Sequence, residues 1–363
     1  MTSTSYDRRA VVYQVFVRHW GNPNAASTFA GTIEQNGCGK LSALNNDAIR
    51  HIASLGVTHV WLTGVLRHAT LTAYTELGLE ADDPDIVKGR AGSPYAIKDY
   101  YDVDPDLADD PAHRHRELDA LIERLHVAGL RVLLDLVPNH VARSYAGTVF
   151  PEHDFGAKDD KRVFFASTND FFYLVEPRGQ RLTIQAPKGW NPPGLDGLFP
   201  LEDGGPGRVP RATGNNVTGV RLGPGDWYET VKLNYGFDFT SGATKYDPPP
   251  SVWWKMDAIV AYWQGRGVDG FRCDFSHWVP VEFWRFLIAR ARSRNPASLF
   301  HRRGVRRRSR PSTSRLAAQH APRNTHLGGR VRCGVRSPRV RRHPSHRIGS
   351  GVGKRHRSRP TLG

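Results

Sequence analysis

Apolar residues recur along the first 300 positions in two alternating rhythms. Val11–Val17, Val57–Leu62 and Leu130–Leu136 are short runs rich in Val, Leu and aromatic residues, as in strands buried on both faces. Between them the spacing opens to three and four. Ile49, Ile52 and Ala53 follow a capping Asn45 or Asn46 and stop at Gly56, while Leu118, Leu121, Ile122 and Leu125 follow Asp110-Pro111. Trp253, Met256, Val260 and Trp263 make another helical seam. Val268, Phe271 and Cys273 read as a fourth buried strand, and Phe283, Trp284, Leu287, Ile288 and Ala291 as one more helix face. Strands alternating with helices predict a parallel sheet built from βα units.

The rhythm breaks between His140 and Asp247, where Gly, Pro, Asn and aromatic residues dominate. A structureless loop of that length does not fit inside a compact domain, so an inserted domain is expected. The organisation predicted is residues 1–140 with strands one to three, 141–248 as the insertion, and 249–300 with helix three, strand four and helix four. A basic extension, 301–363, follows.

Charge sharpens that last boundary. The formal net charge is +16, yet residues 301–363 alone hold 19 Lys and Arg, no Asp or Glu, and no Phe, Tyr or Trp. The first 300 residues carry 32 basic against 35 acidic side chains, a mildly acidic body for which no nucleic-acid partner is expected. Of the three Cys only Cys38 and Cys273 lie in this body, too few for a disulfide framework. With no apolar signal region and no bilayer-length apolar run, a soluble cytoplasmic protein without a membrane partner is expected. His113-Arg114-His115 and Lys158–Lys161 lack ligand spacing and read as solvated surface.

Chemistry enters at the strand ends. Asp274 sits where the fourth strand stops, and Arg272, two positions earlier, shares its face of the strand. Such an Arg can hold a carboxylate ionised and oriented, as a nucleophile requires. An Arg–Asp pair that only closes a strand has the same pattern, so these residues alone leave both readings open. The third strand runs likewise from an apolar core into the polar tip Asn139-His140.

Asp135-Leu-Val-Pro-Asn139-His140 and Gly270-Phe-Arg272-Cys-Asp274-Phe-Ser-His277 together resemble the first two signature motifs of the α-amylase superfamily, glycoside hydrolase family 13. Three further segments extend the likeness: Tyr13-Gln-Val-Phe16, the stretch Gly92-Ser-Pro-Tyr95 through Asp104-Pro105, and Trp227 through Asn234-Tyr235. The resemblance covers about residues 8–300. It implies an α/β fold of the TIM (β/α)8 type, truncated after about four βα units, with an inserted B-type domain after strand three. It also implies an α-amylase-type retaining glycosidase, hydrolase or transglycosylase, acting on α-glucosidic bonds of α-glucans or maltooligosaccharides.

By that resemblance Asp274 is the nucleophile and Arg272 orients it, Tyr95 stacks on the sugar, His140 hydrogen-bonds it, and His277 meets the acceptor side. The commoner family pattern has Lys then His; here Trp278 follows His277, which leaves substrate choice open. No cofactor is required for the chemistry. By the same resemblance Asn139 is a candidate ligand for a structural calcium, and it reads equally as a cap on the loop after strand three.

The family's catalytic acid and its later Asp would fall beyond residue 300, where the resemblance stops. His301–Arg308 can be encoded so that a one-base shift restores Ile-Ala-Glu-Ala-Tyr-Asp-Asp, which looks like the family's third motif. A frame-shifted tail and an inactive chain are therefore expected, with strands one and four as open edges. The alternatives are a glycan-binding pseudoenzyme, or polyanion and nucleic-acid binding by the tail, which lacks aromatic platforms for bases.

Overall fold

The computed structural model describes residues 9–24, 27–175, 180–200, 203 and 208–302. The basic extension beyond Arg302, including the stretch read as frame-shifted, lies outside the described residues. The helices, in chain order, are α1 (Ile33–Asn36), α2 (Asn46–Ser54), α3 (Arg114–Val127), α4 (Ser251–Gly265) and α5 (Val281–Arg294). The strands are β1 (Val12–Phe16), β2 (His59–Thr63), β3 (Leu66–His68), β4 (Ile97–Val103), β5 (Arg131–Leu136) and β6 (His140–Ala142). They continue with β7 (Thr183–Ile184), β8 (Arg221–Leu222), β9 (Thr230–Lys232), β10 (Gly270–Cys273) and β11 (Leu299–Arg302).

Five strands pair in parallel in the order β1-β2-β5-β10-β11, and among the described residues the sheet does not close on itself. Its register follows from side-chain alternation. Val15, Leu62, Leu134, Phe271 and Phe300 lie side by side across all five strands, an unbroken apolar row. One residue further on, Phe16 pairs with Thr63, and Asp135, Arg272 and His301 lie side by side; because side chains alternate, these face the other way. A slip of one residue would exchange the two rows, so burial of the apolar one specifies where Asp135 and Arg272 point.

Helices cover the apolar row. Asn45 caps α2 by accepting from Ala48 N, and α3 follows a 3-10 turn at Pro111–His113 that Asp110 caps. Leu118, Leu121, Ile122 and Leu125 of α3 are buried, as are Trp253, Met256, Val260 and Trp263 of α4. Trp263 also donates from its indole to Tyr100 O at 2.8 Å, so its burial leaves no polar orphan. On α5, Phe283, Leu287 and Ala291 are buried, whereas Trp284 and Ile288 are half-buried.

Two expectations are corrected here. β10 is not an edge: Leu299–Arg302 pairs along it, so His301 and Arg302, assigned to the tail, belong to a fifth strand. Leu299 and Phe300 supply the reason, with the Phe300 ring 5.8 Å from that of Phe271. The His113–His115 cluster is also more than solvated surface. Arg114 Nε and His115 Nε2 reach the buried Asp102 carboxylate at 2.7 and 2.9 Å. Burial pushes Asp102 up, but those two partners outweigh it and bring the carboxyl down to about 2. Asp159, in the second such cluster, accepts from Asp170 N and Phe171 N.

The region after β5 has its own local order. β6 runs antiparallel to β9, and β7 pairs with β8. Phe172, Leu174, Ala212 and Phe239 form one small apolar cluster; Ile86, Leu182, Ile184, Phe199, Leu222 and Tyr228 form another. Among the described residues no helix is long and apolar enough to cross a membrane.

The β10–β11 pairing makes a prediction. A Cβ at Gly270 would lie 2.1 Å from Leu299 O, whereas one at the exposed Gly219 would meet nothing within 4 Å. Gly270→Ala is therefore expected to cost about 1–3 kcal/mol of unfolding free energy in denaturant melts. Gly219→Ala should stay within about 0.5 kcal/mol of the parent.

Candidate active site

β5 and β10 run side by side with Arg272 directly beside Asp135, and Asp274 follows the end of β10, its amide donating to Leu136 O at 2.8 Å. The Arg272 guanidinium therefore lies between two carboxylates. Its Nη1 is 2.7 Å from Asp274 Oδ1 and 3.4 Å from Asp135 Oδ1. All three side chains are buried. Asp135 Oδ2 also accepts from Gly64 N at 3.3 Å. The guanidinium carbon sits 5.0 Å from the Trp61 ring and 5.4 Å from the Tyr95 ring, a cation over two aromatic faces.

One cation serves two anions, and burial is the larger force on both. It pushes the Asp274 carboxyl above the usual carboxylate range, against the pull of Arg272. Burial likewise raises Asp135 to about 6, again opposed by Arg272. Arg272 thus orients Asp274 more completely than it acidifies it.

The chain turns sharply after Asp274. Phe275 takes a left-handed conformation, φ 42°, unusual for a bulky residue and a form of stored strain found at functional sites. Packing holds it there: its ring lies 4.6 Å from Trp227, 5.5 Å from Trp278 and 6.4 Å from His140. Trp227 and Trp278 stack at 5.6 Å. His277, at the exposed rim, lies 5.8 Å from the Phe275 ring and within electrostatic reach of Asp274.

His140 is buried beside this corner. Asn139 Nδ2 donates to Gly214 O at 2.9 Å and to His140 Nδ1 at 3.0 Å, while Asn139 Oδ1 accepts from Lys232 Nζ. The lysine fixes which way the amide faces, and the amide places the imidazole proton on Nε2. The ring hydrogen-bonds the Tyr95 backbone. Burial first, then the Lys232 charge, lowers His140 to about 3, so it stays a neutral donor. Gly214 is required by space, since a Cβ there would lie 2.4 Å from Thr230 Oγ1 and 2.9 Å from His140 Cβ.

Asp274, Arg272, Tyr95, His140, Asn139 and His277 thus meet at the carboxyl ends of β5 and β10. Sequence reasoning missed Trp61, Lys232, Gly214 and the Phe275 turn. Trp61 was open to a register argument, because it shares a face with Asp135 and Arg272. The other three depend on contacts between distant segments. A cleft of about 410 Å³ lined by Arg18, His19, Asn22, Asn36, Thr72 and Arg90 contains none of these residues.

The calcium expectation does not fit these donors. Calcium takes six to eight oxygen ligands; the one side-chain oxygen of Asn139 already faces an ammonium. Among the described residues no group of three or more His, Cys, Asp or Glu is placed to hold a metal ion.

A family model described as "Alpha amylase, catalytic domain" matches residues 26–298. Maltase 1 of Drosophila virilis is 24% identical over 270 residues, covering 74% of this chain and 31% of that protein. An oligo-1,6-glucosidase of Heyndrickxia coagulans is 21% identical over 278 residues, covering 75% and 36%. Among solved structures, an alpha-amylase from Lactobacillus plantarum aligns with TM-score 0.44 and 21% identity, over 81% of this chain and 44% of that one. The chain spans roughly a third of the length of the curated relatives it matches.

Asp135 offers a pH test. The fold holds its proton more tightly than the unfolded chain does, so folded molecules bind more protons between about pH 4 and pH 6, and rising pH costs stability there. The unfolding free energy of the parent minus that of Asp135→Asn should fall across this window and be flat above it. A difference that rises with pH would contradict the raised carboxyl.

Proposed function

The chain belongs to the alpha-amylase catalytic-domain family, and on that premise we propose that it carries the nucleophile half of a retaining glycoside hydrolase site for α-glucosidic bonds. Five parallel strands fit the opening part of a (β/α)8 barrel, whose catalytic side chains stand at the carboxyl ends of its strands. Residues 141–248 correspond in this reading to the inserted B-type domain. The observation that carries the proposal is the buried Arg272 between Asp135 and Asp274, with Tyr95 and His140 beside it.

In the proposed reaction an Asp274 oxygen attacks the anomeric carbon, forming a glycosyl ester as the bond to the leaving oxygen breaks. Arg272 aims that carboxylate, Tyr95 supports the apolar face of the sugar, and neutral His140 shifts its one donor, Nε2, from the Tyr95 backbone to a sugar hydroxyl. His277 and Trp278, with Trp227, would line the acceptor side. A second carboxyl group must protonate the leaving oxygen and later activate water. Residues 301–363 contain no Asp or Glu, so no side-chain carboxylic acid from them can do so. The 363-residue chain is accordingly proposed to be inactive. The names of the relatives, a maltase and an oligo-1,6-glucosidase, favour short α-glucans as substrates of the whole enzyme.

The half-buried Trp227, Phe275 and Trp278 surface supports a second reading, glycan binding without turnover. One experiment separates the two. Purified 363-residue chain should not hydrolyse starch or maltose, whose leaving oxygens need a proton, and a chain with the shifted frame restored should turn over with retention at about 1 s⁻¹ or faster. Asp274→Asn should then lower kcat by about 10⁴-fold or more. Saturable maltooligosaccharide binding, with no turnover in either form, would favour the second reading instead.

A further inference from the structure

Lys232 is the only lysine with a buried side chain among the described residues, and its surroundings are unusual. Three buried arginines each face a carboxylate: Arg67 with Asp102, Arg143 with Asp203, and Arg272 with Asp274. Lys232 has no carboxylate partner among the described residues. Its ammonium is met by the Asn139 side-chain carbonyl and by the face of the Trp278 ring, 5.3 Å from its centroid. An ammonium buried without an anion is among the costlier arrangements a fold can carry, so its presence calls for a role.

Its position supplies that role. Lys232 ends β9, directly across from His140 in the antiparallel β6–β9 ladder. Asn139 stands just before β6, and its amide is committed on both sides. An amide carbonyl held in a buried strand-end turn is the sort of hard oxygen that a divalent cation would take. Here the ammonium takes it.

We propose that Lys232 is a built-in cation that stands where a metal ion would otherwise hold the Asn139 carbonyl, making this junction independent of metal. Burial brings the Lys232 ammonium down to about 7, so below that pH the tether to β9 keeps a positive charge on the Asn139 oxygen without any ion being bound. Through Asn139 the same contact orients the His140 ring and joins the strand end to the segment from Gly214 to Lys232.

The test reads melting rather than turnover, so its result does not depend on the chain being a glycosidase. The purified 363-residue protein is melted in excess EDTA and in millimolar CaCl₂, followed by circular dichroism. The parent is expected to melt at the same temperature in both; a midpoint several degrees higher in calcium would overturn the proposal. Lys232→Asp, which exchanges the cation for an anion beside the same oxygen, should melt below the parent in EDTA and recover several degrees in calcium. A folded Lys232→Asp protein indifferent to calcium would overturn it equally. Should that variant not fold, the chelator comparison on the parent still decides.

Discussion

A single guanidinium buried between two carboxylates governs the arrangement at the strand ends. Arg272 reaches Asp135 on the neighbouring strand and Asp274 beyond its own, under the rings of Trp61 and Tyr95. Removing the cation would leave two buried anions facing each other, an arrangement costing several kcal/mol. The apolar row on the opposite face of the sheet prevents any slip that would relieve the charges. Fold and site are therefore one constraint: the register that buries Leu62, Leu134 and Phe271 also places the three charges together.

A second charge governs the neighbouring strand end. Lys232, Asn139 and His140 form a relay in which each partner leaves the next one hydrogen-bonding choice. The imidazole is neutral because burial and the nearby ammonium both disfavour its charged form. One pair of strand ends thus presents a carboxylate whose proton affinity burial has raised and a ring that keeps a donor at Nε2. The proposed attack of Asp274 on a sugar, with His140 supporting its hydroxyls, draws on such a pair.

Much of this was legible in the order of residues. Strands β1, β2, β5 and β10, helices α2 to α5, and the grouping of Asp274, Arg272, Tyr95 and His140 follow from apolar spacing together with five ordered motifs. What escaped was set by distant contacts. β11 has only two apolar residues, Leu299 and Phe300, before the basic stretch, so only pairing with Gly270–Cys273 distinguishes Leu299–Arg302 from a loop. Arg114 and His115 look like solvated charges until the buried Asp102 is found beside them. Lys232 reads as an ordinary strand lysine, and only its burial against Asn139 sets it apart. The left-handed turn at Phe275 has no local signature, because aromatic packing rather than glycine sustains it.

The central claim is that the Asp274 oxygens form a bond to an anomeric carbon. A ring-fluorinated α-glucosyl fluoride tests this most directly, because fluoride leaves without a proton and the ring fluorine slows release of the ester. Peptide mass spectrometry of the 363-residue chain after incubation should show one fluoroglucosyl unit on the peptide containing Asp274. A label on another carboxylate, or no label on a chain that melts cooperatively, would contradict the account.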